Sequence, residues 1–376
     1  MTNHLNTVLL AYSSPTLHHG SPRVLADIIL GLDRKKFRPI LVCPARGELT
    51  DFLEQRGVEV VIAPWRSITK GNFLKFLASI LFFWKLIRNK NVRLFHMNQV
   101  GWRDSLVVAA WLRRIPIVLH LHMNLKYDVP LTRNWNFIFA SSILVVADVL
   151  KKPFLEATEI SKKLVTVHNG LSVDVFEKGR SIRPALGLGE NDKVVGFIGQ
   201  MVEAKGLRFL VSAAKPVLAA HPDAVFIFVG RRVAGEEGFV DELKGMAEQE
   251  GIGHALRFFG PRDDIPDVMK SLDIMVLPTL GEAFPKVILE AMGAGVPVIA
   301  SAVGGIPEII DHNVNGVLLP AGDAAALGDA LVDLLNQPEK RQRLAFEGLR
   351  TVREGFSVQT QIAKITTVYD TLLGEG

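Results

Sequence analysis

Glu282 and Glu290 stand eight positions apart in the run GEAFPKVILEAMGAGVPVIAS, residues 281–301, on either side of a loop that turns into a helix. Ile274 to Leu277 reads as a short buried strand, Pro278 ends it, and Val287 to Ala294 has helical composition closed by Gly295 and Pro297. Backbone N–H groups at such a helix start have no partner inside the helix and can hold an anion. Carboxylates accept hydrogen bonds from paired hydroxyls. A sugar joined to a diphosphate answers both demands. Taken singly, Glu290 also fits a solvent-facing helix position and Glu282 a helix cap. A second constellation, His120 and His122, ends the run RIPIVLHLHMN at 114–124. Side chains two apart on a strand share a face, so a metal pair is geometrically possible, but no carboxylate or third histidine accompanies them in sequence. No Asp-x-Asp sequence occurs to bridge Mg²⁺ to a diphosphate, so neither a metal nor a cofactor is expected.

The elements that must position these residues alternate along the whole chain, short β-rich runs with longer helical patterns, which marks parallel α/β architecture. In the first half the expected strands are Thr7–Ala11, Pro39–Cys43, Val58–Ile62, Leu94–Met97, Ile117–Leu121 and Ile143–Ala147. In the second half they are Val194–Gly199, Ala224–Gly230, Leu256–Gly260, Ile274–Leu277, Val298–Ala300 and Val317–Leu319. Each half accommodates a doubly wound domain, 1–168 and 193–355, with 169–192, rich in Gly and containing Pro184, as the linker. Ligands of such sheets bind beyond the carboxyl ends of the strands, so a cleft between two facing domains is the expected site. The last segment, 356–376, is helical, and its Ile362, Ile365, Val368 and Leu372 stripe is expected to tie the two domains together or to lie on the second.

At 376 residues, 48% hydrophobic and 22% charged, the chain suits two globular domains and is not disordered. Cys43 is the single cysteine, which excludes an internal disulfide and a cysteine metal cluster and agrees with a cytoplasmic setting. Met1 to Asn6 is polar and the apolar run from Val8 to Ala11 is too short for a secretory signal. The formal net charge of +4 hides an asymmetry: residues 1–170 hold 23 Lys and Arg against 11 Asp and Glu, or +12, and residues 171–376 hold 20 against 28, or −8. A basic first half suggests an anionic partner such as a lipid surface or a phosphorylated acceptor. Nucleic acid is not expected, since no zinc finger or RNA-binding signature appears. Within that half, NFLKFLASILFFWKLIRNK at 72–90 puts Phe73, Phe76, Leu77, Ile80, Phe83, Trp84 and Ile87 on one helical face, with Lys75 and Lys85 opposite. It is too short and too charged to span a bilayer. A core helix, or one lying in an anionic membrane surface through 72–93, satisfies the pattern.

With strands, linker and carboxylate loop in place, the chain resembles the retaining glycosyltransferases of family 4, also called glycosyl transferases group 1. The resemblance rests on VHNGLSVDVF at 167–176, GFIGQMVEAKGL at 196–207, FIFVG at 226–230, RFFGPRDDIPDVM at 257–269 and GEAFPKVILEAMGAGVPVIASAVGGIPEII at 281–310, in this order and spacing. It implies the GT-B fold, two Rossmann-like doubly wound domains facing across a cleft. It implies that Glu282 bonds hydroxyls of a donor sugar and Glu290 those of the ribose, with the amides of Ala283, Phe284, Lys286 and Val287 serving sugar and diphosphate. Pro285 has no N–H and only shapes the loop. Gly199 would let the chain approach the diphosphate, Lys205 would supply a charge to it, and Arg262 lies in a matching block. An arginine commonly follows the glycine at 199; here it is Gln200, which donates a hydrogen bond without a charge, and Arg231 or Arg232 is the expected compensation.

In the first domain HHGSPRVLADIILGL at 18–32 resembles the family's glycine-rich loop, so Gly20 and the Ser21 amide would face the leaving diphosphate, with Ser21 also suited to a helix cap. His18 and His19 read as surface residues, one of them near the acceptor. His122 matches the strand-end histidine near the reacting sugar carbon. The implied activity is metal-independent, configuration-retaining transfer of a hexose from a UDP- or GDP-type sugar to a hydroxyl of a glycan or lipid-linked acceptor, in cell-surface polysaccharide or glycolipid synthesis, by a cytoplasmic enzyme that can sit peripherally on the inner face of the membrane. Glu282, His122 and Lys205 would carry the chemistry. The competing readings are a catalytically silent sugar-nucleotide-binding protein and another GT-B enzyme such as a sugar-nucleotide epimerase. A nicotinamide enzyme is disfavoured because no GxGxxG follows the first strand.

Overall fold

The computed structural model of the chain describes residues 5–17, 20–68, 72–99, 104–123, 134–236 and 238–375. His18 and His19 lie outside the described residues, as do parts of 65–70, 99–104 and 123–134, the first-half loops that the sequence offers for reading an acceptor. Two compact units form: residues 1–170 together with 358–376, and residues 171–357.

The first unit is built on seven parallel strands: β1 (Asn6–Ala11), β2 (Phe37–Cys43), β3 (Glu59–Ile62), β4 (Val92–Met97), β5 (Ile117–Leu121), β6 (Ser142–Val145) and β7 (Leu164–Thr166), in the order β3-β2-β1-β4-β5-β6-β7. Every residue of β1 is buried, as a continuous apolar strand covered on both faces demands. Its register against β2 pairs Val8 with Pro39 and Leu10 with Leu41, and against β4 it pairs Leu10 with His96. The strand order reverses between β1 and β4, and this switch point opens beyond their carboxyl ends, the position at which such sheets bind ligands.

The final helix, Val358–Leu373, belongs to this unit. Its Ile365 and Tyr369 are fully buried in the core that contains Val8, Leu10, Leu25 and Phe37, and Val368 and Leu372 pack on its margin. Ile362 occupies the space a side chain at Gly31 would need. Lys36 pairs with Asp370 at 2.7 Å at the periphery.

The second unit holds β8 (Lys193–Ile198), β9 (Ala224–Val229), β10 (Leu256–Phe259), β11 (Ile274–Leu277), β12 (Val298–Ser301) and β13 (Val317–Leu319), all parallel, in the order β10-β9-β8-β11-β12-β13. Its switch point falls between β8 and β11. The stretch expected as a linker is built into this unit from Leu171 on. Arg183 explains much of this: its guanidinium donates to the Ser271 carbonyl at 3.1 Å, to the Glu190 carbonyl at 2.7 Å and to the Asp273 carboxylate at 2.7 Å.

The helix Phe73–Asn89 buries Phe76, Ile80, Phe83 and Ile87, a single i, i+4, i+7, i+11 stripe, against the first unit. Phe73 and Leu77, expected on that face, are exposed instead, together with Leu74, Leu81 and Phe82. The reason is compositional: the helix is apolar nearly all round, and packing on the neighbouring helix Ser105–Leu112 selects one stripe. Among the described residues no helix is long and apolar enough to cross a membrane.

Candidate functional site

In the second unit the predicted residues other than Arg262 gather at the β8/β11 switch point. β8 delivers Gly199 and Gln200, whose chain continues into a short 3-10 turn, Glu203–Lys205. β11 ends at Leu277, and the loop 278–285 follows it. Thr279 joins the two: fully buried, its hydroxyl donates to the Ala204 carbonyl at 3.0 Å, and the Leu280 N–H donates to the same oxygen at 2.9 Å. The clamp brings Lys205 Nζ onto the Glu282 carboxylate as an ion pair whose side chains are only 21% and 17% exposed.

Two glycines set the clearance. Gly206 (φ 68°) lies where a side chain would strike the Pro278 carbonyl, and Gly304 (φ 57°) where one would strike the Glu282 carbonyl. Both require a backbone region that L side chains rarely adopt. In sequence Gly304 is one residue of a long matching block with no role of its own, and Thr279 is not singled out at all. A buried polar residue between a strand end and a glycine is the signal for Thr279.

Past the loop, Pro285 precedes the helix Lys286–Gly293, where its missing N–H costs nothing. Ile288, Leu289, Ala291 and Met292 face the core, leaving Lys286, Val287 and Glu290 half-buried on the remaining strip. The helix start and the Glu290 carboxylate therefore share one side. Phe284 is buried, its ring 5.8 Å from that of Phe356, so only its backbone is available to a ligand.

Arg262 follows the edge strand β10 and forks onto Asp264, with contacts of 2.7 and 2.5 Å. That bidentate pairing raises the arginine's pKa and lowers the aspartate's. Arg232, one of the two expected substitutes for the arginine missing at Gln200, forks onto Asp241 at 3.0 and 3.2 Å. Arg231 reaches this end of β8 through its backbone: its carbonyl accepts from the Met201 N–H at 3.0 Å. Lys205 is a cation that the fold carries to Glu282.

In the first unit the predicted residues also gather at a switch point, between β1 and β4. Gly20 and Ser21 begin the helix Gly20–Gly31. Ser21 sits inside the helix, and its hydroxyl lies 2.7 Å from the Tyr12 hydroxyl, where it is not a cap. His122 follows β5 and places Nε2 3.0 Å from the side-chain oxygen of Asn98, a residue that sequence patterns did not single out. Beside it, His120 is fully buried, with its ring 4.2 Å from that of His122 and 5.4 Å from that of His96. His96 Nδ1 meets the Tyr369 hydroxyl. Burial pushes His96 down to about 3 and His120 well below the usual imidazole range, so both stay neutral. Among the described residues no group of three ligating atoms close enough to share an ion includes either His120 or His122.

Residues 179–349 match the family described as glycosyl transferases group 1, and residues 19–175 match glycosyltransferase family 4. A phosphatidyl-myo-inositol mannosyltransferase of Mycobacterium leprae is 31% identical over 284 residues, which are 72% of this chain and 71% of that protein. The chain belongs to glycosyltransferase family 4. This family-4 enzyme is also 26% identical over 359 residues, 90% of each chain, to the UDP-Gal:alpha-D-GlcNAc-diphosphoundecaprenol alpha-1,3-galactosyltransferase of Escherichia coli. Its fold is similar to that of Anabaena Alr3699/HepE, solved in complex with UDP, with a TM-score of 0.83 and 23% identity over 98% of this chain and all of that one. The fold is therefore GT-B. The protein is a glycosyltransferase of the hexosyltransferase type.

Proposed function

We propose that this family-4 enzyme transfers a hexose from a UDP- or GDP-type sugar to a hydroxyl of a lipid-linked glycan, with retention at the anomeric carbon and without a metal ion or other cofactor. The observation that carries the reading is the Lys205–Glu282 pair at the β8/β11 switch point, four residues ahead of a helix start that shares its open side with Glu290. Cation, amide donors and two acceptors for hydroxyls there match the parts of a nucleotide-diphosphate sugar.

The bond that breaks joins the anomeric carbon to an oxygen of the diphosphate, which leaves with the electron pair. Stabilising that charge is the main demand on the protein. Lys205 and the amides of Lys286 and Val287 supply it, with Gln200 adding an uncharged donor beside Gly199, and the absence of an Asp-x-Asp pair fits a reaction that needs no metal. Glu282 accepts from hydroxyls of the sugar, Glu290 from those of the ribose, and the amides of Ala283 and Phe284 assist at the sugar. A diphosphate that draws Lys205 toward itself loosens the Glu282 carboxylate for the sugar, so each partner acquires a ligand as the other lets go. Arg262 is assigned to the donor through its matching block, though a ligand would have to compete with Asp264 for it. The first unit takes the acceptor, and His122 and the Gly20–Ser21 helix start take part in sugar transfer. The new bond forms on the face the diphosphate leaves, through an oxocarbenium-like state, and the acceptor's hydroxyl proton passes to the departing phosphate oxygen.

The named activity of the Escherichia coli relative, on a diphosphoundecaprenol-linked sugar, supports a lipid-linked acceptor. The outer face of the helix Phe73–Asn89 supports work at an anionic membrane surface on the cytoplasmic side: Leu74, Leu81 and Phe82 are exposed, as are Lys75 and Lys85. Trp84 on the same helix is flanked by the guanidinium groups of Arg88 and Arg113, 5.5 and 4.9 Å from its ring.

The test is a panel of UDP- and GDP-hexoses screened by calorimetry, followed by transfer to undecaprenyl-diphosphate-linked GlcNAc in EDTA. A product whose anomeric coupling matches the donor's is expected. An inverted product, activity that vanishes with EDTA, or sugar isomerisation without an acceptor would each overturn the proposal.

A further inference from the structure

Asn98 closes β4 beside the switch point of the first unit and is fully buried. Its backbone N–H donates to the Ala11 carbonyl at 3.0 Å, which fixes the residue against β1. Its side-chain amide meets two groups. The nitrogen donates to the Ser21 carbonyl at 3.1 Å, and the oxygen lies 3.0 Å from His122 Nε2.

These contacts determine a proton position. A peptide carbonyl can only accept, so the NH₂ end of Asn98 must face Ser21, and an amide flip is excluded. The oxygen end therefore faces His122. An amide oxygen can only accept as well, so His122 Nε2 must carry hydrogen. In neutral His122 the proton is then on Nε2 and the lone pair on Nδ1; the imidazolium can keep the same bond. Ser21 is itself braced, since its hydroxyl lies 2.7 Å from that of the nearly buried Tyr12. One asparagine thus joins the first turn of the helix Gly20–Gly31 to the imidazole that follows β5.

We propose that Asn98 is a positioning residue for sugar transfer: it orients His122, holds its proton on Nε2, and couples the ring to the helix start at Gly20–Ser21. The role rests on the proposed part of His122 in transfer, whereas the proton position rests on the hydrogen bonds alone. A larger or apolar residue at this position would leave the Ser21 carbonyl without this donor and the imidazole free to rotate. The Asn98→Asp substitution would keep an acceptor for Nε2–H while turning a second acceptor toward the Ser21 carbonyl.

The test has a spectroscopic arm and a kinetic arm. In the full chain labelled with ¹⁵N-histidine, long-range ¹H–¹⁵N correlation, assigned by loss of signals in His122→Gln, is expected to show the Nε2–H form of His122 near neutral pH. A dominant Nδ1–H form would overturn the lock. Asn98→Ala is expected to give a mixture of tautomers; a spectrum unchanged from wild type would likewise overturn it. If that variant does not fold, Asn98→Asp replaces it and is expected to keep Nε2–H.

In the kinetic arm, UDP release from UDP-galactose or UDP-glucose is measured. Misplacement of a reacting group by about 1 Å can cost about 100-fold, so Asn98→Ala is expected to lower kcat by roughly 10- to 100-fold with donor KM within about 3-fold. Combined with His122→Ala, it should add clearly less than its full single loss, because the part that acts through His122 has nothing left to position and only the part at the Ser21 carbonyl remains. A full additional loss in the double variant would reduce Asn98 to a structural residue. Should His122→Ala itself retain wild-type kcat, the part assigned to His122 falls while the tautomer spectrum still decides the lock.

Discussion

Replacing Lys205 by alanine separates ground-state binding from transition-state stabilisation at the donor site. Lys205 is already paired with Glu282, and both side chains are about four-fifths buried, at 21% and 17% exposure. Two unit charges at about 4 Å attract by roughly 4 kcal/mol at an effective dielectric of about 20. A bound diphosphate gains an attraction of that order from Lys205 and forfeits one of similar size between Lys205 and Glu282, so the net gain on binding is small. In the transition state the balance differs. Charge accumulates on the departing diphosphate, and removing one pre-placed donor at such a centre typically costs about 100- to 1,000-fold in kcat, or roughly 2.7–4 kcal/mol. Lys205→Ala should therefore lower kcat by about two to three orders of magnitude. Donor affinity should fall by less than about tenfold, equivalent to 1.4 kcal/mol. Stability should fall as well, by up to about 3 kcal/mol, because the substitution leaves the largely buried Glu282 carboxylate without its cation. The assay combines initial rates of nucleotide release at saturating donor with calorimetric titration of the nucleotide sugar and a thermal melt. A 100-fold loss of donor affinity at unchanged kcat would refute the reasoning, because Lys205 would then hold the ground state and the pair with Glu282 would not compete.

Three further outcomes are expected. Gly304→Ala forces a methyl group against the Glu282 carbonyl at a φ of 57°, costing about 1–2 kcal/mol in backbone strain and moving the loop; kcat should fall at least tenfold with a lowered melting temperature, and wild-type kinetics would show that Glu282 does not depend on that contact. Leu74→Ser, Leu81→Ser and Phe82→Ser remove side chains that are 80%, 60% and 48% exposed, so folding should persist while binding to phosphatidylglycerol vesicles weakens by roughly tenfold per site, from about 1.5 kcal/mol of lost apolar burial each; sedimentation with vesicles equal to wild type would remove the lipid reading. Acid should destabilise the first unit through His96, whose pKa is pushed down by burial to about 3 from 6.5. The unfolded chain binds that proton at a pH where the folded chain does not, so stability falls as pH drops from 6.5 toward 3, at up to about 1.4 kcal/mol per pH unit, with His120 acting in the same direction; denaturant melts of wild type and His96→Asn should differ in slope across this window, and equal slopes would contradict the assignment.

The strands were legible because a parallel sheet covered on both faces needs continuous apolar runs, and those runs survive in β1, β9 and β11 with little interruption. β7 escaped because it has three residues and two of them are half-buried, too short a pattern for either period to register. The helix Phe73–Asn89 was legible as a helix and in the stripe it buries, Phe76, Ile80, Phe83 and Ile87, but not in the width of that face. With apolar residues on nearly every side, the pattern draws Phe73 and Leu77 into the same face, and only packing on the neighbouring helix leaves them exposed. The extent of the second unit was misjudged for a different reason. Gly and Pro from 170 to 189 signal turns, but whether those turns are anchored depends on where Arg183 finds acceptors, and these lie at 271 and 273, far along the chain.

The candidate site was nominated in sequence through residue type. The roles proposed for Glu282, Glu290 and Lys205 rest on charge, so residue identity and spacing are enough to nominate them. What arranges them acts through backbone, and sequence is nearly silent about it. The Lys205–Glu282 pair depends on Thr279 and Leu280 both bonding one carbonyl at Ala204, and a carbonyl is present at every residue. Asn98 is the same case in the other unit: it bonds the Ser21 carbonyl and a ring nitrogen, and nothing in HMNQ announces either partner. Both arrangements sit at the point where a parallel sheet reverses its strand order, where two neighbouring strand ends have chains departing in opposite directions and leave a gap for side chains to meet. The shared logic is topological, so a polar residue buried at the carboxyl end of β4 or just past β11 is a functional candidate whatever its type. Asn98 and Thr279, both fully buried, meet that criterion.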